Sequence, residues 1–176
     1  MNVLVRTAEP ADFAAVASLT TAVYLADGLV SGPEDAYLAV LGDVRRRAEV
    51  AELLVAEDPS RPGGLWGAVS LSVAGGELAE VAGEGEAEFR MLAVAPERRG
   101  HGVGEALVRE CLRRASSAGR RRVVISCQSH LHTAMRLYRR LGFVRAPERD
   151  WEPVPGVKLW VFAGELPAQR DGEHNI

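Results

Sequence analysis

The chain is short of several things, and each shortage removes a class of protein. Its two cysteines, Cys111 and Cys127, are too few for a disulfide framework and lack the Cys and His spacing of a zinc site. Both are therefore expected as buried packing residues, and no metal is expected. Lys158 is the only lysine, so nearly every cation is arginine, which stays charged and pairs with phosphate in forks. That suits a phosphate-rich ligand, although coding bias gives the same composition. There is no basic excess: the formal net charge is -3, against a dedicated nucleic-acid binder, and a small-molecule or protein substrate is the better default. Long apolar runs are also missing, and Met1 to Arg6 has no charged leader, so neither a membrane span nor a signal segment is expected and a cytoplasmic protein is.

What is present is enough for one core. A 176-residue chain with 47% hydrophobic residues fits a single domain, here expected over 1–166 with a polar tail at 167–176. Val3 to Arg6 reads as a strand, and Thr7 to Asp12 as a turn into a helix ending near Ala26, with Gly28 as its stop. A second helix is expected from Glu34 to about Ala48. Ala51 to Ala56 and Trp66 to Val73 read as a hairpin around the turn-forming 58–64 segment. The Gly- and Glu-rich stretch from Gly75 to Glu86 reads as a solvated loop, with a role in drawing a cationic substrate as the alternative.

Glu88 to Val94 then reads as a strand, stopped by Pro96. The glycine-punctuated segment 98–104 leads into a helix with Leu107, Val108, Cys111, Leu112 and Ala115 on its apolar stripe, ending at Gly119. Arg122 to Cys127 reads as a buried strand, His130 to Leu141 as a helix, and Phe143-Val144 and Val157 to Ala163 as closing strands. The order predicts a mixed α/β arrangement rather than a doubly wound one.

A strand passing through a glycine turn into a helix makes an anion site, because first-turn amides point outward at the positive end of the helix dipole. Glu105 stands where a dinucleotide fingerprint needs its third glycine, and no Gly-Lys-Ser/Thr follows, so neither that motif nor a P-loop is present. Arg99-Gly100-His101-Gly102-Val103-Gly104 instead resembles the Arg/Gln-x-x-Gly-x-Gly/Ala motif of the GNAT superfamily of acyl-CoA-dependent N-acetyltransferases. Leu92-Ala93-Val94-Ala95-Pro96 just upstream resembles the family's strand and proline turn. Leu137-Tyr138-Arg139-Arg140-Leu141-Gly142-Phe143 matches its Leu-Tyr-x-x-Leu-Gly-Phe pattern at every defined position. The first third of the chain carries no such motif, as expected if specificity for the acceptor lies there.

The resemblance implies a central, mostly antiparallel sheet flanked by helices, with two parallel strands splayed apart to admit the pantetheine arm of acetyl-CoA. It implies that main-chain groups of Leu92, Ala93 and Val94 pair with that arm, that amides from Arg99 through Gly100, His101, Gly102 and Val103 to Gly104 hold the pyrophosphate, and that Ser129 touches the cofactor. Its glutamate base is often placed as Glu88 is, and its tyrosine acid aligns with Tyr138. Strand alternation would put Glu88 on one face with Arg90 and Leu92. A surface role for Glu88 and a plain core role for Tyr138 are the competing readings, with Glu84 and Glu86 as fallback bases. The oxyanion would meet an amide near Ala93 or Val94. His101, His130 and His132 are not expected to be catalytic, and Arg136, Arg139 and Arg140 are expected to face solvent, with contact to the nucleotide's phosphates as the alternative.

The expected reaction is direct transfer of acetyl to a primary amine on a small molecule or protein. A CoA-binding sensor without turnover is the alternative, and acylation of aminoacyl-tRNA is disfavoured by charge. Family members are often dimers, so a homodimer is also among the expectations.

Overall fold

The computed structural model describes residues 2–61 and 64–168, so Pro62 and Gly63 in the expected turn and the tail from 169 lie outside it. Seven strands form one sheet: β1 (Leu4–Thr7), β2 (Glu52–Glu57), β3 (Leu65–Ser72), β4 (Glu86–Val94), β5 (Arg122–Gln128), β6 (Val144–Arg145) and β7 (Leu159–Glu165). Their spatial order is β1-β2-β3-β4-β5-β7-β6. Every neighbouring pair is antiparallel except β4 with β5. This is the mixed α/β arrangement that the element order predicts.

Alternating residues of the central strands feed two sets of helices. Leu54, Val69, Leu71, Ala87, Phe89, Val123, Ile125 and Phe162 form one core with α4 (Val103–Ser117) and α5 (His132–Arg140). The stripe of α4 falls where the 3.6-residue period puts it: Leu107, Val108, Cys111 and Ala115 are all fully buried. Burial of Leu107 and of Val108 contributes roughly 1.5–3 kcal/mol each in transfer free energy. Leu53, Val55 and Ala68 point the other way, toward α1 (Phe13–Ala26) and α3 (Val44–Val50). Both cysteines are buried and free.

The single helix expected from Glu34 to Ala48 is instead two, α2 (Tyr37–Gly42) and α3. Asp43 causes the break. Its backbone leaves the helical region at ψ 67° and its carboxylate accepts the Arg46 amide, so it caps a new helix. The turn redirects α3 so that the third residue of the Arg45-Arg46-Arg47 run is buried. Strand β4 starts at Glu86, two residues before the expected Glu88, and α5 begins at His132 rather than His130.

Candidate active site

Strands β4 and β5 pair over Glu86–Arg122, Ala87–Val123 and Glu88–Val124 only. Beyond Glu88 they part, while β5 keeps its pairing with β7 as far as Gln128. Opposite the opening, Ser70 pairs with Arg90 but Ala68 pairs with Ala93, so Val69 faces both Met91 and Leu92. This is a β-bulge, and Met91 takes it at φ 59°, a left-handed conformation that side chains rarely adopt. The extra residue flips the alternation. Glu88, Arg90 and Met91 face α1–α3, whereas Leu92 and Val94 pack with the core of α4 and α5. Leu92 is therefore not on the face of Glu88, contrary to simple alternation.

Glu88 is the last paired residue before the strands part, and it is 1% exposed. Its Oε2 accepts the amides of Val81 and Ala82 at 2.8 and 3.0 Å, which ties down the 73–85 loop. Its Oε1 has no partner among the described residues. Burial pushes the carboxyl above the usual carboxylate range, while the two amides pull against that. Glu86 stands two residues earlier in the same strand with the opposite chemistry. It accepts from both Arg149 guanidinium nitrogens and from Arg122, and the Arg149 bonds chiefly hold it down at about 2. A carboxylate so stabilised is a poor proton acceptor at neutral pH, and Glu84 lies exposed in the loop.

Tyr138 comes from α5 on the other face. It is 3% exposed, in a cluster with Phe89 at 5.9 Å, Phe143 at 5.8 Å and Phe162 at 6.1 Å between ring centroids. Burial pushes its phenol far above the ordinary value, so it stays protonated at any working pH.

At the open end of β4, a 3-10 turn at Pro96–Arg98 leads through Gly100 and Gly102, with φ of 77° and 80°, into α4. Those angles need glycine, and a Cβ on either would meet nothing within 4 Å, so the backbone is open to a ligand. Gly102 caps α4 without a side chain, leaving the amides of Val103, Gly104 and Glu105 free to bind an anion. Gly104 packs instead: a Cβ there would lie 3.5 Å from Leu137 and 3.6 Å from Val94. His101 is exposed in the turn before α4, and Ser129 is exposed just after the end of β5. The Arg99 guanidinium turns away from the glycines, pairing with Asp27 at 2.8 Å and reaching the Val94 carbonyl at 3.4 Å. The residues fit a pyrophosphate through main-chain donors rather than through the motif's arginine side chain.

Two further features have no counterpart in the sequence motifs. The loop after α1 spans the opening: Gln128 donates to the Leu29 carbonyl at 3.0 Å, and the His130 ring lies 3.3 Å from the Asp27 carbonyl. On the same face as Glu88, Arg47 is buried and Arg90 half-buried, with Tyr24 and Tyr37 beside them. The triple-arginine run reads as solvated, so nothing in the sequence marked Arg47. Arg136, Arg139 and Arg140 are exposed as expected, and Arg140 pairs with Glu105 at 2.7 Å.

Similar architectures recur among solved structures. YncA from Salmonella typhimurium, solved with its cofactor acetyl-CoA, is 20% identical and superposes with a TM-score of 0.66 over 99% of this chain and 96% of its own. A GCN5-related N-acetyltransferase from Kribbella flavida is 24% identical, with a TM-score of 0.67 over 93% and 98%. The PaiA N-acetyltransferase of Thermoplasma acidophilum, in complex with coenzyme A, is 16% identical, with a TM-score of 0.66 over 94% and 99%. At these identities the likeness is one of fold. No curated protein matches the sequence. The acetyltransferase (GNAT) family model matches residues 21–143, which include the parted strands, the glycine turn and Tyr138, and the chain belongs to that family.

Proposed function

We propose that the chain transfers an acetyl group from acetyl-CoA to a primary amine by direct attack within the opening between β4 and β5. The observation that carries this reading is the placing of Glu88. A buried carboxyl with one free oxygen and a raised pKa stands where the two strands separate.

An amine with a lysine-like pKa of ~10.4 is neutral in only about one molecule in ~2,500 at pH 7, so attack needs a base. Glu88 takes that proton at Oε1, directly or through one ordered water. The neutral nitrogen adds to the thioester carbonyl, and the oxygen charge is met by a main-chain amide of β4 near Ala93 or Val94. As the carbon–sulfur bond breaks, the thiolate takes the phenolic proton of Tyr138, and the phenolate takes up another from solvent, to which Glu88 releases the proton of the amine. The main chain of Leu92 to Val94 holds the pantetheine arm, amides from Arg99 to Gly104 hold the pyrophosphate, and Ser129 touches the cofactor from β5. We place the protein in the cytoplasm, where acetyl-CoA is available.

Acetyl-CoA binding by calorimetry, paired with mass spectrometry of amines incubated with it, tests the reading. Saturable binding with an N-acetylated product is expected. Binding without a product from any amine would replace the enzyme with a CoA sensor of the same fold.

A further inference from the structure

Two buried side-chain atoms lack a hydrogen-bond partner among the described residues, Arg47 Nη2 and Glu88 Oε1, and both lie on the α1–α3 side of the sheet. Their positions are linked. Arg47 Nε donates to Ser70 Oγ at 3.1 Å, Ser70 pairs in register with Arg90, and Ser72 pairs with Glu88. Arg47 thus reaches from α3 to the strand position paired with Arg90, and Arg90 stands two residues from Glu88 on one strand face, about 6.6 Å along the chain.

The surroundings of Arg47 are neutral. Besides Ser70, it donates to Thr20 Oγ1 at 3.4 Å and to the Leu41 carbonyl at 3.0 Å. No carboxylate among the described residues forms an ion pair with it. A guanidinium held 1% exposed without a counter-ion is costly, and an apolar side chain would serve packing better. Beside it, Arg90 donates to the Tyr37 hydroxyl at 3.1 Å and meets Glu80 only at 3.5 Å near the surface. Tyr24 and Tyr37, with ring centroids 6.1 Å apart, are partly exposed. In the acidic loop, Glu77 pairs with Arg46 and Glu80 with Arg90.

An arginine without a counter-ion thus contacts the strand position paired with Arg90, and Arg90 stands one step along the same strand face from the candidate base. We propose that the acceptor is an α-amino acid or a close analogue, its carboxylate bound by Arg47 and Arg90 and its amine presented to Glu88. The inference rests on the transfer reading for its orientation, and on Arg47 for its chemistry. A polyamine or a lone amine would leave Arg47 without a counter-ion.

The test compares matched ligands on the full chain with coenzyme A present. Calorimetry of N-acetyl-leucine against N-isopentylacetamide, which differs only by the carboxylate, is expected to show at least about tenfold tighter binding of the acid. In thiol-release assays, leucine is expected to exceed isopentylamine in kcat/KM by a similar factor. Arg47→Met should collapse both ratios toward one. Equal or weaker binding of the acid to the wild type overturns the proposal, and that comparison needs no variant to fold. Tighter binding of the acid with no thiol release from any amine leaves the anion site standing and removes the transferase reading.

Discussion

Glu88 and Tyr138 lie on opposite faces of the sheet. Phe89, the residue after Glu88, packs its ring 5.9 Å from that of Tyr138, so strand alternation turns the Glu88 carboxyl toward α1–α3. The proposed base and acid are thus separated by the strand that would hold the thioester. Each is biased by burial toward its protonated form, and the consequences differ because only the base must ionise to act.

For Glu88 the sign of the pH dependence follows from its raised pKa. The unfolded chain ionises near 4.5 and the folded chain at a higher value, so the residue's contribution to stability is lost as pH rises above 4.5. Glu88→Gln is therefore expected to gain stability relative to wild type with rising pH, while transfer falls at least about 100-fold. Chemical denaturation across pH, beside steady-state rates, checks both. A variant equally destabilised at every pH would point to a structural role.

Glu86 has the opposite sign. Its pKa is held down at about 2 from 4.5, chiefly by Arg149, so its stabilisation is present above 4.5 and lost as pH falls toward 2. Glu86→Gln is expected to cost on the order of 2 kcal/mol at neutral pH after solvent screening, closing to little at the acid end. The same denaturation series measures it.

Gly67 lies under the opening. A Cβ there would stand 2.8 Å from Leu107 Cδ1, 2.9 Å from the Ala93 carbonyl oxygen and 3.1 Å from Val103 Cγ1. The carbonyl belongs to the strand proposed to hold the cofactor and cannot yield as a side-chain tip can. Gly67→Ala is expected to cost about 1–3 kcal/mol and to weaken acetyl-CoA binding. Thermal melting and calorimetry together read the two effects.

Met91 carries the bulge at φ 59°. Leucine and isoleucine have similar volumes, so packing against Leu41 and Leu78 is nearly matched, but a β-branched residue fits this backbone poorly. Met91→Ile is expected to lose at least about 1 kcal/mol more than Met91→Leu, with a larger fall in transfer. Equal losses would mean that the bulge relaxes.

The parts readable in the sequence are those where the backbone restricts the residue. Gly100 and Gly102 occupy left-handed positions, and the Leu137 to Phe143 pattern closes the helix that carries Tyr138, so the glycine turn and that helix end were legible. The bulge was not, because Met91 is no turn residue and its conformation is imposed by neighbouring strands. Arg47 was hidden for a related reason: a run of three arginines reads as solvated until the break at Asp43 turns one inward. That break has a readable signal, the N-capping residue Asp43 directly after Gly42.

The most direct test of the central claim is amine-dependent thiol release from acetyl-CoA by wild type, Glu88→Gln and Tyr138→Phe. The expected result is saturable release by the wild type and a lower kcat in both variants, with acetyl-CoA affinity retained. Release that is unchanged in both, or absent with every amine despite tight acetyl-CoA binding, would contradict the account.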